Sequence, residues 1–204
     1  MFLINILLVD DHALFSKSLK IALSDYSEID AFDSINDVSQ LDNFIVSKKP
    51  DIILMDINLK NISSEDGLEL AKQILSCYPE QRVVILSGYD LPVYRSEGRK
   101  IGAKGFVNKN IEPEKLISIL SKIMQGILYF DREIPFIEGL TDSEKQIIQL
   151  IAEGQKRKDI SSTLYISERT LSNHLQHIFE KLDVTSAVEA VTKAIQLGYI
   201  PPIC

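Results

Sequence analysis

Only two cysteines, Cys77 and Cys204, occur in the 204 residues. Two thiols make neither a disulfide framework nor a set of metal ligands, so the expectation is a reduced thiol on a helix and a free thiol at the end of the chain. No apolar run approaches the ~20 residues of a membrane-spanning helix. The apolar opening "MFLINILLVDD" has no basic lead-in and no cleavage site, and it stops at two acids. It reads as a strand rather than a signal peptide, and the expected location is the cytoplasm, with no membrane partner. No internal repeat and no low-complexity tract interrupts the pattern. Positive charge is also short. Lys and Arg number 22 against 29 Asp and Glu, a net charge of −7. That excludes a generally basic nucleic-acid coat protein but leaves room for one local reading element.

What is present suits a packed protein. The chain is 45% hydrophobic and 25% charged, ordinary for a globular fold, and its length fits two small domains. Apolar strand-like runs recur at Ile6–Val9, Ile29–Phe32, Ile52–Met55, Val83–Leu86 and Gly105–Val107. Helical patterns lie between them, as in Phe15, Leu19, Ala22 and Leu23, and in Leu116, Leu120, Ile123 and Ile127. Five strands alternating with helices predict a five-stranded parallel, doubly wound α/β domain of the flavodoxin-like kind over 1–125. The stretch "GILYFDREIPFIEG" has no clear period, and 126–138 is read as a linker. From 139 to 204 the patterns are all helical, predicting a small all-α domain. Residues 1–138 hold 15 Lys/Arg against 21 Asp/Glu, and 139–204 hold 7 against 8, so the first domain carries most of the negative charge.

In an open parallel sheet, ligands bind outside the carboxyl ends of the strands, at the switch point between strands 1 and 3. Strand 1 ends in Asp10-Asp11 and strand 3 in Asp56; strand 4 ends in Ser87, and Lys109 follows strand 5. Three carboxylates side by side need a counter-charge, and a hard divalent cation such as Mg²⁺ supplies one through oxygen ligands. A hydroxyl and an ammonium beside them suit phosphoryl transfer, with an Asp carboxylate as acceptor. A single acid at a strand end is usually a cap or a solvated loop residue. The joint placement at four strand ends carries the reading.

"ILLVDDH", "DIILMDINL", "VVILSGY" and "GAKGFVNK" resemble the receiver domain of bacterial two-component response regulators over about residues 4–125. The resemblance implies phosphorylation of Asp56 by a sensor histidine kinase. It also implies Mg²⁺ held by Asp10, Asp11, Asp56 and the backbone carbonyl of Asn58. Ser87 and Lys109 would contact the phosphoryl group, and Phe106 matches the aromatic switch position. The chain departs from the pattern after Asp56. Lys60 lies near where receivers usually have proline, and "KNISSE" lengthens the path to Asp66-Gly67 by about three residues, an insertion of small stability cost.

The second half reads as helix, turn, helix, turn, helix. Thr141 or Asp142 caps the first helix and Gly154 ends it; "KRKDISSTL" is the second, and Ser167 caps a third that runs to about Leu182. On the third, Leu171, Leu175, Ile178 and Leu182 form the buried stripe. At ~100° per residue the opposite face carries Arg169, Ser172, Asn173, Gln176, His177 and Glu180. Asn and Gln bond adenine edges, and the start of such a helix enters the major groove. Lys156, Arg157 and Lys158, just before, would hold phosphates. A solvated face on a small bundle is the competing reading. "LTDSEKQIIQLIAEG", "ISERTLSNHLQHIFEKLDV" and "AVTKAIQLGYI" are similar to the LuxR-type helix-turn-helix domain. Receiver and helix-turn-helix together make the NarL/FixJ class of regulator. The implied DNA-facing set is Lys156, Arg157, Lys158, Ser167, Arg169, Thr170, Ser172, Asn173 and Gln176. Three usual cations are replaced, by Ser143, Ser172 and Ala187. The last helix spaces Val184, Val188, Val191 and Ile195 as a stripe that in this class pairs two domains. The implied partners are the kinase, double-stranded DNA, a second copy when phosphorylated, and RNA polymerase.

The rival from another class is a Mg²⁺-dependent phosphohydrolase acting through an aspartyl-phosphate. Enzymes resembling the haloacid dehalogenases need an acid two residues after the nucleophile. Here that position is Asn58, which argues against turnover and for a non-enzyme. A phosphorylation-independent DNA-binding regulator is the third reading, and the complete acidic set speaks against it.

Overall fold

The computed structural model describes residues 3–59, 62–63, 66–88, 91–130 and 139–200. It divides into two compact units, 1–90 with 95–133, and 134–204 with 91–94. The expected departure at Lys60 and most of its longer path, 60–61 and 64–65, lie outside the described residues, as do Cys204 and most of the expected linker. Among the described residues, no helix is long and apolar enough to cross a membrane.

The first unit is built on a parallel sheet of β1 (Ile4–Val9), β2 (Ile29–Ile35), β3 (Ile52–Asp56), β4 (Arg82–Ser87), β5 (Gly105–Asn108) and β6 (Tyr129–Phe130). The strand order is β2-β1-β3-β4-β5-β6. All five residues of β3 are buried, as a near-continuous apolar run predicts for a strand covered on both faces. Alternation sends Ile6, Leu8, Ile52, Leu54, Val84, Leu86 and Val107 to one face, in a core shared with Leu116, Leu120 and Ile123. Leu7, Val9, Ile53, Met55, Val83 and Ile85 point the other way and are buried too. Each such side chain contributes about 1.5–3 kcal/mol of burial. Helices α1 (Ala13–Leu23), α2 (Leu41–Lys48), α3 (Gly67–Cys77), α4 (Pro92–Lys100) and α5 (Pro113–Met124) alternate with the strands.

Among the described residues the sheet has six strands, not the five expected. The sixth, Tyr129–Phe130, falls in the stretch read as linker and pairs with Gly105 and Phe106. Two residues are too few to show a period. What admits them is Gly105, where a Cβ would stand 3.0 Å from the Tyr129 carbonyl oxygen.

In the second unit, α6 (Asp142–Ala152), α7 (Arg157–Thr163), α8 (Glu168–Leu182) and α9 (Ala187–Leu197) follow in order. Thr141 caps α6 through a full capping box. Its hydroxyl accepts from the Glu144 amide, and Glu144 accepts from the Thr141 amide at 2.7 Å. Leu171, Leu175, Ile178 and Leu182 of α8 are buried in a core with Ile147, Ile148, Ile160, Ala190 and Ala194. Glu144, itself buried, also accepts from Lys181 Nζ at 2.8 Å and ties α6 to α8.

Candidate functional site

Register brings the acids together. β1 and β3 pair in parallel with Val9 opposite Met55, so the next residues, Asp10 and Asp56, stand side by side. β3 and β4 align Asp56 with Leu86, and β4 and β5 align Ser87 with Asn108. The carboxyl ends of β1, β3, β4 and β5 therefore share one edge. The Lys109 amide donates to the Ser87 carbonyl at 2.9 Å, which fixes the turn where Lys109 leaves β5.

From that turn Lys109 reaches back across the site. Its Nζ lies 2.7 Å from Asp10 Oδ2 and 2.8 Å from Asp56 Oδ2. Asp10, Asp56 and Ser87 are buried. Burial pushes the Asp56 carboxyl above the ordinary aspartate range. The hydrogen bond and charge of Lys109 pull it down, the charge of Asp10 pushes it up again, and the Asn58 backbone amide lowers it. One ammonium therefore leaves the three acids short of positive charge. The oxygen-rich donor set, and an ammonium already bridging two of its carboxylates, fit a hard divalent cation.

Three neighbours carry contacts that sequence reasoning did not assign. The His12 imidazole Nδ1 stands 2.6 Å from Asp11 Oδ1, and the four residues Asp10, Asp11, His12 and Asp56 each present a donor atom within 4.8 Å of the others. Its only signal in sequence is adjacency to the acid pair. Phe15, read as part of an apolar stripe, lies under Lys109 with Nζ 4.7 Å from its ring centre. Phe106 is buried in β5, and the guanidinium of Arg95 sits 5.5 Å from its ring centre.

The second constellation is on α7 and α8. Lys156, Arg157 and Lys158 are exposed at the start of α7, Lys156 as its N-cap. Cations at a helix N-terminus oppose the macrodipole, at a cost of about 0.3–1 kcal/mol each, so stability does not account for them. On α8, Ser167, Arg169, Thr170, Ser172, Asn173 and Gln176 are all exposed. Several already have local partners. Ser167 and Thr170 share a 2.8 Å hydroxyl contact, Ser172 donates to the Glu168 carbonyl, and Gln176 donates to Glu180. Arg169 and Asn173 have no such bond among the described residues. On α9, Val188 is 77% exposed. Val184, just before the helix, and Val191 and Ile195 on it are half-buried against the unit's own core.

Comparison with known proteins assigns both halves. Residues 6–121 match the response regulator receiver domain, and 138–194 match the bacterial regulatory proteins of the luxR family. The transcriptional regulatory protein DegU of Brevibacillus brevis is 28% identical over 97% of this chain and 95% of its own length. DesR of Bacillus subtilis (strain 168) is 30% identical over 77% of this chain and 79% of its own. Among solved structures, RcsB of Salmonella enterica serovar Typhimurium, bound to a promoter in the presence of phosphomimetic BeF3-, superposes with a TM-score of 0.68. It covers 93% of this chain and 97% of that one at 21% identity, a likeness of fold.

Proposed function

The chain belongs to the response regulators that join a receiver domain to a LuxR-type DNA-binding domain, and from that premise we propose that Asp56 is its phosphoacceptor. The carrying observation is the convergence of Asp10, Asp11, Asp56 and Lys109 at one sheet edge. The donor is the phosphohistidine of a sensor kinase. Its P–N bond breaks as a P–O bond forms to the Asp56 carboxylate. Asp10, Asp11, Asp56 and the Asn58 carbonyl would hold Mg²⁺, which when bound neutralises charge on the transferring oxygens. Lys109 turns from bridging two carboxylates to pairing with the phosphoryl oxygens, and the Ser87 hydroxyl donates to another. Phe106 follows that movement as the switch. This site assists both the transfer to Asp56 and the later attack of water that releases inorganic phosphate, without turnover of a substrate.

Phosphorylation then shifts a two-state receiver and favours a homodimer, with Val184, Val188, Val191 and Ile195 as the pairing stripe of the helical units. The dimer binds two half-sites of double-stranded DNA. Arg169, Asn173 and Gln176 read base edges. Lys156, Arg157 and Lys158 neutralise phosphates, and Ser167, Thr170 and Ser172 line the approach. RNA polymerase is the partner at the promoter. RcsB bound to a promoter in the presence of phosphomimetic BeF3- supports the link between the phosphoryl site and DNA.

The test compares the native protein with Asp56→Asn, each with Mg²⁺ and beryllofluoride. Native protein dimerises and binds its selected site more tightly; Asp56→Asn does neither. Equal DNA binding by the two overturns the reading.

A further inference from the structure

His12 stands in the acidic cluster, and nothing in the phosphoryl chemistry uses it. It is the N-cap of α1, yet its side chain makes no capping bond. The imidazole turns instead to the carboxylates, with Nδ1 2.6 Å from Asp11 Oδ1 and 3.3 Å from Asp10 Oδ1. Its backbone is fixed by the same group, because the His12 amide donates to Asp10 Oδ1 at 2.7 Å. The side chain is 54% exposed, so an ion in solution reaches it directly.

Ligands of one ion at bond lengths of ~2.1 Å stand up to ~4.2 Å apart. The donor atoms of Asp10, Asp11, His12 and Asp56 lie within 4.8 Å of one another, close enough for a small shift to complete the set. Mg²⁺ takes oxygen and leaves an imidazole unused, whereas Zn²⁺ accepts imidazole together with carboxylate.

Resting on the reading of this cluster as a divalent-cation site, we infer that His12 lets it take Zn²⁺ as well as Mg²⁺. Mg²⁺ is held through oxygens alone. Zn²⁺ is held through the carboxylates and His12 Nδ1, and it competes with Mg²⁺ for them.

The full chain decides this by NMR, with Zn²⁺ and Mg²⁺ titrated separately. Amide signals of Asp10, Asp11 and Asp56 report occupancy of this site, apart from any Zn²⁺ on His174, His177 or Cys77. In the native protein Zn²⁺ shifts the His12 ring nitrogens as it saturates those amides, and Mg²⁺ does not. His12→Gln weakens Zn²⁺ at the site by at least about tenfold and changes Mg²⁺ affinity by less than about twofold. Equal Zn²⁺ affinity in the two proteins, or ring nitrogens unmoved at saturation, overturns the inference. Should His12→Gln fail to fold, the ring nitrogens of the native protein decide alone. Asp11→Asn separates the two readings. Loss of the Mg²⁺ response there keeps the cation site whatever His12 does, and an unchanged response overturns the site and the inference together.

Discussion

The first residue of α3 has no room for a methyl group. A Cβ on Gly67 would lie 1.7 Å from the carbonyl oxygen of Asp56 and 2.7 Å from its carbonyl carbon. Both are backbone atoms, so neither can swing away. The Gly67 amide also donates to the Ile57 carbonyl at 2.9 Å, which holds the helix start against the strand end. Gly67→Ala should cost at least about 2 kcal/mol in urea unfolding and slow phosphorylation by acetyl phosphate. Phosphorylation at the native rate would show that the strand end does not position the acceptor. Phe15→Leu removes the ring beneath Lys109 and should cost about 1 kcal/mol. Phosphorylation should suffer less than in Lys109→Ala, because Asp10 and Asp56 still hold the ammonium. The "DG" of Gly67 is visible in sequence, but the atom it makes way for is not. That contact depends on how α3 approaches β3, across a separation of eleven positions. Phe15 and Lys109 are further apart still, and each alone reads as ordinary.

At the scale of elements, periodicity carried most of the fold. The α8 stripe was legible because burial leaves a trace at a period of 3.6, and the longer strands because burial on both faces leaves short continuous apolar runs. β6 was not, since two residues have no period. Pairings between helices left no trace either, and Glu144 shows why. A glutamate in the first turn reads as half of a capping box, yet this one is buried and also takes the Lys181 ammonium. Burial raises its carboxyl, but the hydrogen bonds from Lys181 and Thr141 outweigh that and hold it below the usual glutamate range. A depressed carboxyl stabilises the fold above its unfolded value, ~4.3, and loses that contribution as pH falls through the folded value. Glu144→Gln should therefore cost about 2 kcal/mol at pH 7. The gap from the native protein should close as pH falls below the unfolded value of ~4.3 in urea unfolding. A gap that stays constant with pH would assign the cost to packing.

For the whole molecule, charge sets how DNA is met. The net charge is −7, and the expected cations are absent at Ser143, Ser172 and Ala187. Each missing phosphate contact flattens the dependence of log affinity on log salt by about 0.9. The native protein should therefore show a shallow slope, and Lys156→Ala should flatten it by about one further contact. A fluorescence-anisotropy titration across salt concentrations checks both, and a steep slope unaffected by Lys156→Ala would remove the basic triplet from the interface. The sheet's far edge bears on the same scale. β6 pairs Tyr129 with Gly105 and Phe130 with Phe106. The last strand of the sheet thus shares a rung with the residue proposed to switch. Its ladder is only two residues long, the shortest seam of the sheet among the described residues. Whatever rearranges around Phe106 therefore acts directly on the seam that has the fewest rungs to hold it.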